Sequence, residues 1–399
     1  MEHKLQRHPH LYPIQSLESD RAGYAGIYIH VPFCLKKCPY CDFYSVTDLS
    51  LSEPFLDALE TEIRLTSTHQ PPCDTIYLGG GTPSVLDPCQ IGRILESCHK
   101  YFNVGVDSEV TIEINPGTVD QPALKEYKAA GINRLSIGVQ SFQNQGLRFL
   151  NRIHSSKAAH KATKDARRAG VENISLDLIY GIPDTTPAYW KRDLESAIQF
   201  QPEHLSCYLL SYEPGTPLFN NLKAGLVRSV SENESCACFE ATWSALESAG
   251  FLQYEVSNFA RTPSFYSKHN KKYWTFMPYI GLGPGAHSFS NNRRRWNKTS
   301  VIEYVRSLND NQLATDKEEI LTTEQQVIEA LYLGFRQTEG INISNFNSKF
   351  ERSFNVMFED LINLFGREGY LTLSEESCRL TKKGLLLLDS IVDSFVAVI

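Results

Sequence analysis

Three cysteines stand close together near the amino end, in the run Phe33-Cys34-Leu35-Lys36-Lys37-Cys38-Pro39-Tyr40-Cys41-Asp42-Phe43. This CxxxCxxC spacing follows a strand-like Ile27-Tyr28-Ile29-His30-Val31. Thiolates are soft ligands that suit iron–sulfur clusters and zinc, and a four-iron, four-sulfur (4Fe-4S) cube takes one thiolate at each metal corner. Cys34, Cys38 and Cys41 therefore leave one iron open to chelate a small molecule. S-adenosylmethionine fits that corner, because its amino and carboxylate groups can bind the metal while its sulfonium accepts an electron and releases a carbon radical. Zinc, a disulfide pair and buried apolar cysteines are the competing explanations. Structural zinc normally takes four protein ligands, and no second CxxC or HxxxH pair follows at finger spacing. Cys73, Cys89, Cys98, Cys207, Cys236, Cys238 and Cys378 lie scattered and read as core filling.

Such a loop needs a scaffold to hold it. Strands are expected at 26–31, 75–79, 109–114, 134–139, 174–179 and 205–210, each rich in Ile, Val, Leu or Tyr. Helical patterns lie near 53–66, 89–102, 119–130, 155–169, 188–200 and 232–249, several closed by a glycine such as Gly131, Gly170 or Gly250. This repeated β-then-α order demands parallel strands with right-handed crossovers, in a doubly wound sheet or in a barrel or part of one. Every strand ends in something chemically pointed, including Gly79-Gly80-Gly81-Thr82, Glu113 before Asn115-Pro116-Gly117, Gln140-Ser141, and Asp177 before Tyr180-Gly181. Convergence on one barrel rim is the simplest account. The triple glycine lets backbone groups approach a ligand, although glycine runs also make plain tight turns. A buried Glu113 or Asp177 needs a partner, either ligand hydroxyl or amino groups or a salt bridge to Arg134 or Arg152.

With 399 residues, of which 42% are hydrophobic, the chain can bury one large core and a second, smaller unit. No apolar run approaches the ~18 residues of a membrane span, and charges and prolines occupy the start where a signal peptide would be apolar. A cytoplasmic location is expected, and peripheral contact with a membrane stays open. The net charge of −7 argues against a nucleic-acid partner.

The combination of Tyr28-x-His30-Val31-Pro32-Phe33-Cys34, Gly79 to Ser84, Ile112-Glu113-Ile114-Asn115-Pro116, Gly138-Val139-Gln140-Ser141-Phe142 and Asp177 to Pro183 resembles the radical S-adenosylmethionine superfamily. More narrowly, it is similar to the branch holding oxygen-independent coproporphyrinogen III dehydrogenase and the heme chaperone HemW family. The resemblance implies a partial (β/α)6 TIM-like barrel over residues 24–298, a linker at 299–320, and a small C-terminal, HemN-type winged-helix-like domain at 321–399. It implies that Tyr28, Tyr40, Gly80 and Glu113 lie around one S-adenosylmethionine. Gly81, Thr82, Gln140, Arg152 and Asp177 match positions that surround a second such molecule in the dehydrogenase, or shape the rim around the first. Two departures favour the chaperone side. Phe43 stands where the bacterial dehydrogenase has a further cysteine, and His269-Asn270-Lys271-Lys272-Tyr273-Trp274 matches a chaperone HNxxYW motif.

A neutral imidazole at His269 could ligate heme iron while Tyr273 and Trp274 offer flat faces to a porphyrin. The bland alternative is a hydrogen-bonded structural histidine. His287 and Arg293 to Arg295 are secondary candidates, the arginines for heme propionates. The resemblance thus implies a protein that carries a 4Fe-4S cluster, S-adenosylmethionine and heme, and passes heme to an apo-acceptor such as a respiratory cytochrome. Whether it is also an enzyme is open, with the reading leaning away from one; the alternative is oxidative decarboxylation of a porphyrinogen.

The C-terminal part reads as a helix capped at Thr322 and running through Arg336, another at 357–367, a strand pair around 369–373 and 378–381, and a last helix from Lys383 to about Val396. The turn Ser374-Glu375-Glu376-Ser377 puts carboxylates where a DNA-binding wing would prefer cations, so the domain reads as a cover or docking surface. Residues 299–320 read as polar loop with one short helix. In the lead 1–23, His8, His10 and Tyr12 could reach a cofactor, but a loose start or a strap against the barrel explains them as well.

Overall fold

The structure is a computed structural model that describes residues 23–399, so His8, His10 and Tyr12 lie outside the described residues. Six strands run parallel in sequence order: β1 (Ala25–Val31), β2 (Cys73–Gly80), β3 (Val104–Ile114), β4 (Arg134–Gln140), β5 (Asn173–Tyr180) and β6 (His204–Leu209). Each expected strand is present, and each expected crossover helix packs between or after them. The helices begin where the sequence supplies a cap. Asp87 and Gln90 form a reciprocal capping box at Pro88–Tyr101, Ser231 and Glu234 do the same at Glu232–Ser248, and Thr186 caps Pro187–Gln199.

The sheet does not stop at six strands. Past β6 it adds β7 (Leu252–Gln253) and β8 (Asn258–Ala260), both antiparallel. Past β1 it adds β9 (Tyr279–Leu282), parallel to β1, then antiparallel β10 (His287–Ser290), β11 (Arg293–Asn297) and β12 (Thr315–Ile320). The twelve strands run in the order β12-β11-β10-β9-β1-β2-β3-β4-β5-β6-β8-β7, so β1 and β6 stay apart and the barrel is partial. Residues 299–320 are therefore more than a loop with a helix: they hold the helix Val301–Asn309 and the edge strand β12. That strand escaped notice because Thr-Asp-Lys-Glu-Glu-Ile lacks apolar alternation. What it offers instead is charge, with Glu318 and Glu319 opposite Arg295 and Arg294 across the ladder.

Alternation explains both faces of the six parallel strands. Ile27, Ile29, Val31, Ile76, Leu78, Ile112, Leu135, Ile137, Val139, Leu176, Leu178 and Leu205 join one buried apolar core with the surrounding helices. The residues between them point into the lumen and are nearly all polar or glycine.

Beyond Leu321, a helix at Thr323–Phe335 starts with a Thr322–Gln325 capping box. A three-stranded antiparallel sheet, β13 (Ile341–Asn342), β15 (Ser377–Leu380) and β14 (Leu371–Leu373), packs with further helices around Phe335, Phe354, Phe358 and Phe395. This part is docked on the barrel: Arg336 donates to the buried Glu255 carboxylate at 3.0 Å, and its carbonyl accepts from Val256 N–H at 2.9 Å. No helix among the described residues is long and apolar enough to cross a membrane.

Candidate cluster and cofactor site at the barrel rim

The lumen opens into a cavity of about 580 Å³. Tyr40, Cys41, Gly80, Gly81, Thr82, Glu113, Gln140, Arg152 and Asp177 all line it, although they come from five different strand ends and loops. The cysteine loop is pinned at its base, where Cys34 N–H donates to the Val46 carbonyl at 2.9 Å and Val46 N–H to the Pro32 carbonyl at 2.7 Å. Cys34 Sγ lies 3.4 Å from Thr82 Oγ1, and Arg152 Nη1 reaches Cys38 Sγ at 3.5 Å and the Tyr40 hydroxyl at 3.4 Å. Cys38 and Cys34 lie near enough to Cys41 for their charges to act on it. Burial pushes the Cys41 thiol up, and the nearby Cys38 and Cys34 push it further, so its thiolate needs a cation to stabilise it.

The glycine run has a packing reason of its own. Gly80 adopts φ +107°, and a Cβ there would sit 2.6 Å from the His30 ring. A Cβ on Gly81 would sit 2.7 Å from the Phe33 carbonyl oxygen. The strip therefore lies flat on the base of the cysteine loop while its other side borders the cavity. At the end of β4, Gln140 holds a left-handed φ of 64°, beside a shift in the β4–β5 register that turns this residue toward the rim.

Neither lumen carboxylate forms a direct ion pair with Arg134 or Arg152 among the described residues. Glu113 accepts from the Tyr77 hydroxyl at 2.8 Å, and Asp177 accepts from Ser136 Oγ at 2.8 Å. Burial pushes the Glu113 carboxyl up to about 7, with the Asp177 charge adding to the rise. Burial raises Asp177 too, against the pull of hydrogen bonds from Ser206 and Ser136. Arg134 is fully buried and its Nε has no hydrogen-bond partner among the described residues. Its guanidinium borders the cavity, which leaves donors there for a ligand or ordered water.

At the opposite end the lumen is plugged by the helix Lys268–Trp274. His269 is buried, its Nδ1 lies 2.8 Å from Thr75 Oγ1, its Nε2 lies 2.9 Å from the Tyr273 hydroxyl, and its ring stacks on Tyr77 at 5.2 Å. Gly26 makes room for it, since a Cβ there would come within 2.9 Å of His269 Nδ1. Burial, then the Lys272 and Arg134 charges, hold the imidazole neutral with a pKa of about 3. Both ring nitrogens are thus engaged, and this placement leaves none for an iron. Trp274 turns away from His269 toward Tyr254, at 5.8 Å, and toward the Arg336 guanidinium. Tyr28, expected beside the cofactor, does not itself line the cavity: its ring stacks behind the lining Tyr77 at 6.3 Å, with its hydroxyl 3.1 Å from His30 Nδ1. The arginine run is largely committed. Arg293 pairs with Glu318, and Arg294 donates to both Glu329 carboxylate oxygens at 2.8 Å.

A family model described as the Radical SAM superfamily matches residues 28–197, and one described as the HemN C-terminal domain matches residues 321–387. A heme chaperone HemW from Bacillus subtilis (strain 168) is 34% identical over 374 residues, covering 92% of this chain and 98% of that protein. The chain belongs to the radical SAM superfamily. A heme chaperone HemW from Escherichia coli (strain K12) is 33% identical over 381 residues, covering 93% and 98%. A Danio rerio protein named radical S-adenosyl methionine domain-containing protein 1, mitochondrial, is 32% identical over 403 residues, covering 96% and 90%. Among solved structures, the coproporphyrinogen III oxidase HemN from Escherichia coli, described as a radical SAM enzyme, superposes with a TM-score of 0.80 at 23% identity, covering 94% of this chain and 90% of that one. That likeness establishes the fold: a partial barrel with a small C-terminal domain.

Membership in the radical SAM superfamily implies a 4Fe-4S cluster and S-adenosylmethionine. The residues present suit both. Cys34, Cys38 and Cys41 stand on one loop and supply one thiolate for each of three irons. The cavity beside Cys41 offers glycine backbone, a carboxyl and a guanidinium to a zwitterionic nucleoside. Sequence reasoning missed Tyr77, Ser136, His204, Ser206 and Tyr208, which also line this cavity. The signal was available in period two, as polar residues at every second place in Arg134-x-Ser136 and His204-x-Ser206-x-Tyr208.

Proposed function

We propose that this protein is a heme carrier that holds a 4Fe-4S cluster and S-adenosylmethionine at its barrel rim and delivers heme to an apo-hemoprotein such as a respiratory cytochrome. The observation that carries this reading is the similarity, over nine-tenths of the chain, to proteins named heme chaperones. Phe43 supports it. This side chain, 66% exposed beside Cys41, stands where the dehydrogenase pattern has another sulfur.

In this reading the cluster supplies one-electron chemistry when bound, while the chain's own residues do the positioning. Cys34, Cys38 and Cys41 hold the cluster, the Gly80–Gly81 strip and Tyr40 flank the nucleoside, and Glu113 holds an amino group or ribose hydroxyl. Gln140, Arg152 and Asp177 complete the wall. Heme transfer itself requires no bond cleavage, so the carrier role stands without turnover.

The deciding experiment is anaerobic. Reconstituted protein is given coproporphyrinogen, S-adenosylmethionine and a reductant in one arm, and heme followed by an apo-cytochrome in the other. The carrier predicts heme uptake and transfer without vinyl product. Vinyl product with no heme uptake would assign the protein to porphyrinogen decarboxylation instead.

A further inference from the structure

The turn that follows the helix Asn144–Phe149 grips the cysteine loop from the side. Asn151 takes a left-handed φ of 55°, which its short polar side chain tolerates, and its Oδ1 accepts from Lys36 Nζ at 2.6 Å. Arg152 then reaches three partners. Its Nη2 donates to the Gly138 carbonyl at 3.1 Å, and its Nη1 donates to Cys38 Sγ at 3.5 Å and to the Tyr40 hydroxyl at 3.4 Å. His154 fixes the far side of the turn to the barrel, with Nδ1 2.9 Å from Asn115 Oδ1 and Nε2 3.1 Å from the Val139 carbonyl. The guanidinium is thus held between β4 and the cysteine loop by bonds on both sides.

Its charge meets no carboxylate. The hydrogen bonds of Arg152 go to a carbonyl, a hydroxyl and a sulfur, and its Nε is buried without a partner among the described residues. A guanidinium stays protonated in a protein, so this half-buried one calls for an anion beside it. A cluster-bound thiolate at Cys38 is such an anion. Cys34 is served differently, since the side-chain group beside its Sγ is the neutral Thr82 hydroxyl at 3.4 Å.

Resting on the cluster reading for Cys34, Cys38 and Cys41, we propose that Arg152 is a positioning residue for the cluster: it donates to the Cys38 sulfur, holds the loop in its ligating shape and raises the reduction potential there. Hydrogen bonds to the sulfurs and local charge are among the means by which a protein sets such a potential. Reduction by one electron from an external donor adds one negative charge beside Cys38, and the guanidinium favours that more negative form. A charge-assisted bond is about twice as strong as a neutral one, so Arg152 should outweigh Thr82.

The full chain, reconstituted anaerobically without S-adenosylmethionine, is titrated with dithionite and followed by electron paramagnetic resonance. Arg152→Gln should lower the reduction equilibrium about 10-fold, a shift of ~59 mV to more negative potential for one electron. Arg152→Lys, which keeps the charge but loses the fork, should fall between that value and wild type. Thr82→Val should shift the potential less than Arg152→Gln, and Lys37→Gln, which removes an exposed charge from the same loop, should leave it unchanged. Arg152→Gln with full iron and the wild-type potential overturns the assignment. If that variant holds no iron, a wild-type potential in Arg152→Lys overturns it instead. A shift in Lys37→Gln as large as that in Arg152→Gln would trace the effect to net charge and also overturn the directed bond. Wild-type chain that shows no four-iron signal overturns the cluster reading itself.

Discussion

The rim and the floor of this lumen are built from the same strands, yet they differ in which polar atoms are left over. At the rim, three thiols share one loop, glycine backbone faces a cavity, and Glu113 and Asp177 sit half-buried with their carboxyls raised. At the floor, His269 has one hydrogen-bond partner for each ring nitrogen and stacks on Tyr77, and Lys272 pairs with Asp74 at 2.6 Å. The contrast teaches that residue type does not mark a site by itself. A histidine whose bonds are all made is architecture, while a thiol or carboxyl still short of a partner is where a ligand belongs.

The strongest way to break this contrast is to empty the floor. His269→Ala strands the Thr75 and Tyr273 hydroxyls and leaves a cavity, so it should cost about 2–4 kcal/mol in denaturant unfolding while the folded fraction keeps its iron. Unchanged stability with lost heme would give the floor a binding role after all. Gly81→Ala attacks the rim. Its methyl would press on the Phe33 carbonyl at the base of the cysteine loop, and the expected cost is ~1–3 kcal/mol with a lower iron yield after reconstitution.

Acid separates the two ends by sign. The His269 pKa is depressed to about 3, so its contribution is fully present above the unfolded value of 6.5 and is lost as pH falls from there toward 3. The slope is ~1.4 kcal/mol per pH unit for each such group, and buried His154, with a pKa of about 4, adds to it. His269→Gln should flatten unfolding free energy between pH 6 and pH 4.5 by about one proton's worth. Glu113 runs the other way. Its raised pKa destabilises the fold as pH climbs from the ordinary carboxylate value through about 7. The smallest effect follows at the rim: if Glu113 binds the cofactor's amino group as a carboxylate, affinity for S-adenosylmethionine should rise about 10-fold between pH 6 and pH 7.5. Glu113→Gln should remove that dependence, and equilibrium dialysis across this range checks it.

Much of the rim was legible in the sequence because its residues are chemically loud. Cysteine spacing and strand-end glycines survive any uncertainty about packing, and the β-then-α order fixes which ends converge. The floor was not legible in the same way. His269 beside Tyr273 and Trp274 looks like a heme motif on residue type, and only the depth of the helix Lys268–Trp274 in the lumen shows that its nitrogens are taken. The strands past β1 were hidden for another reason. Arg293 to Asn297 and Thr315 to Ile320 pair through charge across an exposed ladder, so neither carries the apolar alternation that announces a buried strand. His287 stood out as a histidine, but its indole neighbour Trp296 comes from the next strand, nine residues on, and is joined to it only by register.

The claim on which the rest depends is tested most directly by anaerobic reconstitution of wild-type chain and of a variant with Cys34, Cys38 and Cys41 all changed to serine, scored for iron, sulfide and Mössbauer signature. The account predicts about four irons and four sulfides per wild-type chain and none in the variant. Zinc in place of iron, or sulfide retained without the three thiols, would contradict it.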